Sequence, residues 1–283
     1  MAAVIDEAAV QEVVELIEGG QSAEALDAVL PLITKLENAY GRGADQATSE
    51  KVYYNFADTI QGFLFAVQSK EERRILPASL PYAQCYCLAG QALALMERHE
   101  EAIPYLSSAV DWDPSSPSLQ MLLARSCRAL GDWKSFIACL NSAFPLITVP
   151  EDMATYQCYS GLYYLAKDKL ELGIACLQAN TRWKKLELAN QALLSLAAER
   201  GVEKVRMDQS TVVGVLIAGG EHILPLESTL QSLVDLATTA TVREDYKLAM
   251  AALSRVIAFT DDEELKQQRD KLRKLATHSV HKR

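Results

Sequence analysis

Histidine and tryptophan are scarce in this 283-residue chain, with 4 and 3 copies respectively. No HExxH pair is present, and the short glycine clusters GRG (41–43) and AGG (218–220) lack the lysine and the strand–loop–helix context that phosphate binding requires. His99 falls in a turn between two helical stretches and His222 follows a Gly-Gly break. His278 and His281, in HSVH, could grip a metal, but a solvated polar terminus is the plainer reading. The acidic pairs Asp261-Asp262 and Glu263-Glu264 open a helix, where they complement its dipole. No enzyme activity, cofactor or metal site is expected.

Long apolar runs are also missing. VVGVLIAGG (212–220) is about half a membrane span and runs into Glu221 and His222. The opening MAAVIDEAAV has neither a positive n-region nor an apolar h-region, so a soluble, cytoplasmic chain is expected. Six cysteines, at 85, 87, 127, 139, 158 and 176, are too sparse for a disulfide scaffold. The net charge of −9 repels phosphate backbones and anionic lipid, which argues against nucleic-acid and membrane binding. The basic end, KLRKLATHSVHKR (271–283), is a local exception with the pattern of a last helical turn and a frayed tail.

What the chain does have is hydrophobic residues at 49%, in Ala/Leu-rich helical patterns, and a repeat. In RHEEAIPYLSSAVDWDPSS (98–116), Ala102 precedes Leu106 by four residues and Ala109 by seven. Gly90 lies twelve residues upstream of Ala102, and Pro114 twelve downstream. A step of 34 carries Gly90 to Ala124, Ala102 to Phe136, Leu106 to Leu140 and Ala109 to Ala143. A further step, three residues longer, carries Ala124 to Gly161, Phe136 to Gly173 and Leu140 to Leu177. Small residues twelve apart let two helices approach closely, and a bulky one there would overpack the contact by about 1–3 kcal/mol. Phe136 therefore implies a splayed pair, or compensation by a small neighbour such as Ala138. Asn180 departs from the pattern at the later alanine position.

This arrangement resembles the tetratricopeptide repeat, a helix–turn–helix unit of about 34 residues. The unit 83–116 carries it best, and 117–150 and 154–187 are more degenerate members of a central array at 83–200. Ala237 and Ala249 suggest another unit at 230–263 within a C-terminal segment 230–283, closed by a polar capping helix. Ala25 and Val29 suggest a degenerate repeat within 1–47. Segment 48–82 is expected to begin as one long amphipathic helix capped by Thr48 or Ser49. Segment 201–229 is expected to be a connector. In it Asp208 or Ser210 would cap a short helix ended by Gly219 in a left-handed turn, with a buried strand at 211–218 as the alternative. Over 50–200 the chain also looks like an uncharacterised family of bacterial tetratricopeptide proteins.

The resemblance implies an all-α fold, an α-α superhelix (solenoid) of helix-turn-helix repeats, whose concave surface is lined by the first helix of each pair. That face would hold Gln84, Cys87 and Gln91, then Met121, Arg125 and Arg128, then Cys158 and Leu162. An apolar groove with a basic stripe suits another protein or peptide with apolar anchors and an acidic group. The alternative is that the arginines only face solvent and flanking helices cover the apolar positions. The Lys/Asn/Arg clamp with which some relatives hold a chaperone carboxylate is absent here, Cys87, Gln91, Met121 and Arg125 standing in its place. Tyr156, Tyr159 and Tyr163 form one helical stripe, a stacking platform or, more plainly, core between repeats. The function expected is a non-enzymatic scaffold for protein–protein interaction; a regulatory sensor of a small peptide or metabolite is the alternative, and a homodimer is possible.

Overall fold

The computed structural model describes residues 5–199, 201 and 205–280, and of 278–280 the backbone alone. The side chains of the His278/His281 pair thus lie outside the described residues. One compact unit ends at Cys139 and a second begins at Leu140.

The helices come in hairpins, and their turns share one backbone device. In the first unit α1 (Glu7–Glu18) turns into α2 (Ser22–Gly41), and α4 (Tyr82–Leu95) into α5 (His99–Trp112). The helix α6 (Pro117–Ala129) leads into α7 (Trp133–Ala143). In the second unit α8 (Pro150–Ala166) turns into α9 (Leu170–Ala179), and α12 (Glu227–Val242) into α13 (Tyr246–Thr260). A left-handed residue follows the first helix each time: Gly20, Glu97, Gly131, Asp168 and Glu244, with φ between +57° and +76°. The next residue donates its N–H five residues back, as Gln21 to Leu16, Arg98 to Leu93, Asp132 to Cys127, Lys169 to Tyr164 and Asp245 to Ala240, at 2.8–2.9 Å. This is the Schellman closure. Glutamate or aspartate in this conformation costs about 1–2 kcal/mol relative to glycine, which the closed turn offsets.

Five residues after each left-handed turn comes the residue that faces the first helix: Ala25, Ala102, Phe136, Gly173 and Ala249, every one buried. Gly90 approaches Ala102 so closely that a Cβ on it would lie 2.6 Å from Leu106 Cγ and 3.2 Å from the Ala102 carbonyl. Gly161 and Gly173 meet in the same way, each Cβ position falling 3.0–3.1 Å from the other's carbonyl. Ala109, Ala124, Ala143 and Ala237 are fully buried, and Pro114 is half-buried after the end of α5. Ala138 is exposed, so it does not make room for the Phe136 ring, which packs edge-on to Trp133 at 5.5 Å. Asn180 is buried, donates to the Leu177 carbonyl and opens a short 3-10 turn, Asn180–Arg182.

The expected long helix at 49–67 is not what forms. Lys51–Tyr54 is a strand, β1, paired in parallel with β2 (Arg74–Pro77), with Val52 opposite Ile75. The crossover between them is α3 (Thr59–Gln68), as a parallel pair requires. Val52, Tyr53 and Tyr54 are β-branched or aromatic and suit a pleated surface. Asp58, not Thr48 or Ser49, caps the helix, accepting from Ile60 N at 2.8 Å and Gln61 N at 3.0 Å. Thr48 instead accepts from the Glu50 and Lys51 amides and turns the chain into β1.

The connector of the second unit is helical, with α10 (Glu187–Glu199) followed by α11 (Gln209–Ala218). Asp208 caps α11, accepting from Thr211 N at 3.0 Å, which removes the strand alternative. Gly219 is right-handed at φ −79°; the left-handed residue is Gly220 at φ +73°, with Glu221 N bonded to Leu216 O. The last helix, α14 (Glu263–Val280), is polar apart from positions such as the buried Leu272.

Candidate functional site

The first residues of α4 need an outside partner. The helix begins after Pro81, which brings no side-chain cap. Asn55, in the link between β1 and α3, supplies one: its Oδ1 accepts from Ala83 N at 2.9 Å. The other end of the amide donates to Leu80 O at 2.8 Å, and the Asn55 backbone N–H donates to Trp112 O at 2.7 Å. One half-buried asparagine thus joins the β1–α3 link to the start of α4 and the end of α5. Trp112 in turn stacks on Tyr82, with ring centroids 3.9 Å apart and planes 8° apart.

Asp113 secures the same corner. Its buried carboxylate accepts from Ser115 N at 3.2 Å and Ser115 Oγ at 2.6 Å, and from the Ala57 N–H. Burial raises its pKa above the usual carboxylate value; the Ser115 and Ala57 bonds oppose that shift and the neighbouring Asp58 carboxylate adds to it.

Between this corner and the exposed side of α4 lies a mostly apolar cavity of about 460 Å³, with Phe56 and Leu119 on its walls and Gln84, Cys87 and Leu88 contributed by α4. A second cavity, about 680 Å³, shares Asn55, Pro81 and Gln84 and reaches Ile5 and Val10 at the start of the chain. Among the described residues neither is lined by a lysine or arginine, whereas Asp113 lines the first and Glu7 the second. Burial pushes the Cys87 thiol up to about 11, so at neutral pH it is a small apolar wall group and not a nucleophile.

Of the residues assigned to a groove by sequence, the structure brings Gln84 and Cys87 together at this cavity. Met121 and Cys158 are buried, at 3% and 0% exposure, and offer nothing to a partner. Cys158 shares its helix face with the buried Ala154 and Gly161. Gln91, Arg125, Arg128 and Leu162 are half-buried and line neither cavity, so no basic stripe runs through this one. Tyr156 and Tyr159 are buried and Tyr163 half-buried, while Tyr164, outside the expected stripe, donates to the Glu221 carboxylate. His99 lies 3.5 Å from Ser126 Oγ and His222 stacks on Phe144 at 4.0 Å. Among the described residues no group of three His, Cys, Asp or Glu side chains could hold a metal ion. Nor, among them, is any helix long and apolar enough to cross a membrane.

Asn55 and Asp113 were not singled out as site residues by sequence. The available signal was the Asn-Phe-Ala-Asp run at 55–58, an asparagine and a helix cap interrupting what had looked like one helix.

Comparison with known proteins bears on the same segment. No curated protein matches the chain. Among solved structures, the APC/C hetero-tetramer Cut9-Hcn1 matches with 16% identity over 69% of this chain and 37% of that one, at a TM-score of 0.37. The C-terminal part of a TPR repeat-containing protein from Cytophaga hutchinsonii matches with 14% identity over 91% of this chain and 98% of that one, at a TM-score of 0.32. The present chain thus spans little more than a third of the length of the first of these. The tetratricopeptide repeat model matches residues 83–116, which are α4, its Schellman turn, α5 and the Asp113 corner. Residues 83–116 thus match the tetratricopeptide repeat, within a largely helical chain of helix–turn–helix hairpins.

Proposed function

We propose that this chain is a non-enzymatic, cytoplasmic scaffold that holds an extended segment of another protein along the exposed side of α4. The observation that carries this is the mostly apolar cavity over Gln84 and Cys87, held open by the Asn55 and Asp113 corner. Tetratricopeptide repeats generally serve protein binding, and an apolar pocket beside a fixed helix face suits side-chain anchors of a bound segment. The lining bears Asp113 and Glu7 and no cation, so the segment that fits carries apolar anchors and positive charge. This reverses the partner chemistry expected from Arg125 and Arg128.

The test is affinity capture from a lysate of the source cells with four forms of the full chain: native, Cys87→Trp, Gln84→Arg and Arg125→Glu/Arg128→Glu. Cys87→Trp fills the cavity, and Gln84→Arg places a like charge against a basic segment. A protein retained by the native chain and lost by both variants supports the reading. Retention by both, with loss from Arg125→Glu/Arg128→Glu, returns the site to the arginines and overturns it. Circular dichroism of each variant establishes that the fold is intact.

A further inference from the structure

We infer that the second unit carries a binding site for a small anionic metabolite, between α9, α10 and α11. It is separate from the α4 surface and does not depend on it. Two cavities meet there along Gln178 and Thr181 at the end of α9 and the 3-10 turn that follows. One, about 330 Å³, reaches α11 and Arg182; the other, about 270 Å³, reaches α10, Lys185 and Arg206. The larger stands at the lower end of ligand pockets, which run roughly 300–1,000 Å³, and the smaller falls just below it.

The charge is the first argument. The protein carries −9 overall, yet among the described residues the two linings bring three cations and no acidic residue. Neither Lys185 nor Arg206 nor Arg182 lies within ion-pair distance of a carboxylate among the described residues; Arg182 rests on the Trp183 ring, 4.5 Å from its centroid. Asp208, two residues from Arg206, is turned away into its own helix cap, where Ser210 Oγ, Thr211 N and Thr211 Oγ1 occupy it, and Glu187, two residues from Lys185, opens α10 and lines neither cavity. Arg182 on one cavity, and Lys185 and Arg206 on the adjoining one, attract an anion into a concave setting more strongly than the same charges on a flat surface. The guanidinium groups also match carboxylate and phosphate geometry.

The second argument is an unanswered polar atom. Gln157, on α8, is only 2% exposed and lines the larger cavity. Its Nε2 donates to the His222 carbonyl at 3.4 Å, but its buried Oε1 has no hydrogen-bond partner. Such an acceptor costs stability unless something donates to it. Gln178, whose Oε1 already accepts from Met207 N at 2.9 Å, has an amide nitrogen to offer at the ridge between the cavities. The ligand that answers both demands has a carboxylate or phosphate group and a hydroxyl or amine donor on a short skeleton.

Isothermal titration calorimetry of the full chain at low salt tests this with four compounds: glycerol 3-phosphate, malate, succinate and inorganic phosphate. The expected result is saturable binding of glycerol 3-phosphate or malate, weakened about tenfold in Lys185→Gln/Arg206→Gln, whose side chains are on the rim and leave the melting curve in place. Saturation by glycerol 3-phosphate alone assigns a phosphate site, and saturation by malate alone a carboxylate site. Gln157→Leu should weaken whichever hydroxyl-bearing compound binds, and leave succinate, which has no hydroxyl, as it was. Heats that never saturate, or an unchanged affinity in the rim variant, overturn the proposal. Arg182→Gln gives a second reading of the charge requirement.

Discussion

Gly90→Val probes the hairpin register directly. A Cβ at position 90 would sit 2.6 Å from Leu106 Cγ and 2.7 Å from Leu106 Cδ2, against a comfortable carbon–carbon distance of about 3.5–4.0 Å. Leu106 is 1% exposed and cannot swing into solvent, and the Ala102 carbonyl behind it is backbone. The overlap of about 1 Å must be relieved by moving α5 away from α4, which places the cost at the upper end of overpacking, about 3 kcal/mol. Valine is a slightly better helix former than glycine, so a few tenths return, leaving a loss of about 2–3 kcal/mol. Urea unfolding followed by far-ultraviolet circular dichroism measures it. Leu106→Ala alone should cost about 2–5 kcal/mol by leaving a cavity. The double variant should cost clearly less than the sum, because the valine methyls occupy the space that Leu106 vacated. A Gly90→Val protein as stable as the native one, or a double variant additive within about 0.5 kcal/mol, would refute the close approach of α4 and α5.

Four further outcomes are expected. Gly214→Ala, in α11 with nothing within 4 Å of its Cβ position, should stabilise the protein by about 1 kcal/mol, and a loss in the same urea assay would contradict the open space around it. Asn55→Ala should cost about 1–3 kcal/mol and speed hydrogen exchange at the Ala83 amide, since its partners at Leu80 and Ala83 lose their bonds; an unchanged Ala83 rate would show that the clasp is not needed. Because burial raises the Asp113 pKa, the folded chain takes up that proton before the unfolded one does. The native protein should therefore gain stability relative to Asp113→Asn as pH falls from 7 through the raised pKa towards about 4, and a pH-independent difference would count against the shift. Cys87, with its thiol near 11, should react with iodoacetamide at pH 8 roughly 20-fold more slowly than an ordinary thiol of pKa about 8.5, the scarcer thiolate being partly offset by its greater nucleophilicity, as read by mass spectrometry against the urea-unfolded chain.

The repeat was legible in the sequence because it rests on local chemistry. Small residues twelve apart, as at Gly90 and Ala102, set the closest distance between two neighbouring helices, and that spacing survives wherever the turn between them has one length. The Schellman turns at Glu97, Asp168 and Glu244 were less visible, since acidic residues rarely take a left-handed conformation and do so here because the turn's hydrogen bonds compensate. The β1–α3–β2 segment is not legible in the sequence for a different reason. The pattern VYYNFADTIQGFLFA is apolar enough to pass as a helix, and only pairing with Ile75 and Leu76, over twenty residues away, makes its first part a strand.

The candidate sites divide along the same line. Helical periodicity alone put Gln84 and Cys87 on one face, and they do share a cavity. The same periodicity put Met121 and Cys158 on an open face, but whether a helix face is open depends on what packs over it, and both are buried. Asn55 acts on Ala83 and Asp113 on Ala57, partners 28 and 56 residues away that no local pattern identifies. The cations at 182, 185 and 206 come from a turn and a distant link, and their places on the walls of two adjoining cavities follow from how α9, α10 and α11 pack. Spacing along the chain determined the helices and the closeness of each pair, because those are set by neighbours within one hairpin. Which side chains meet to form a surface was decided by packing between hairpins, since that brings together residues whose separation in sequence carries no period.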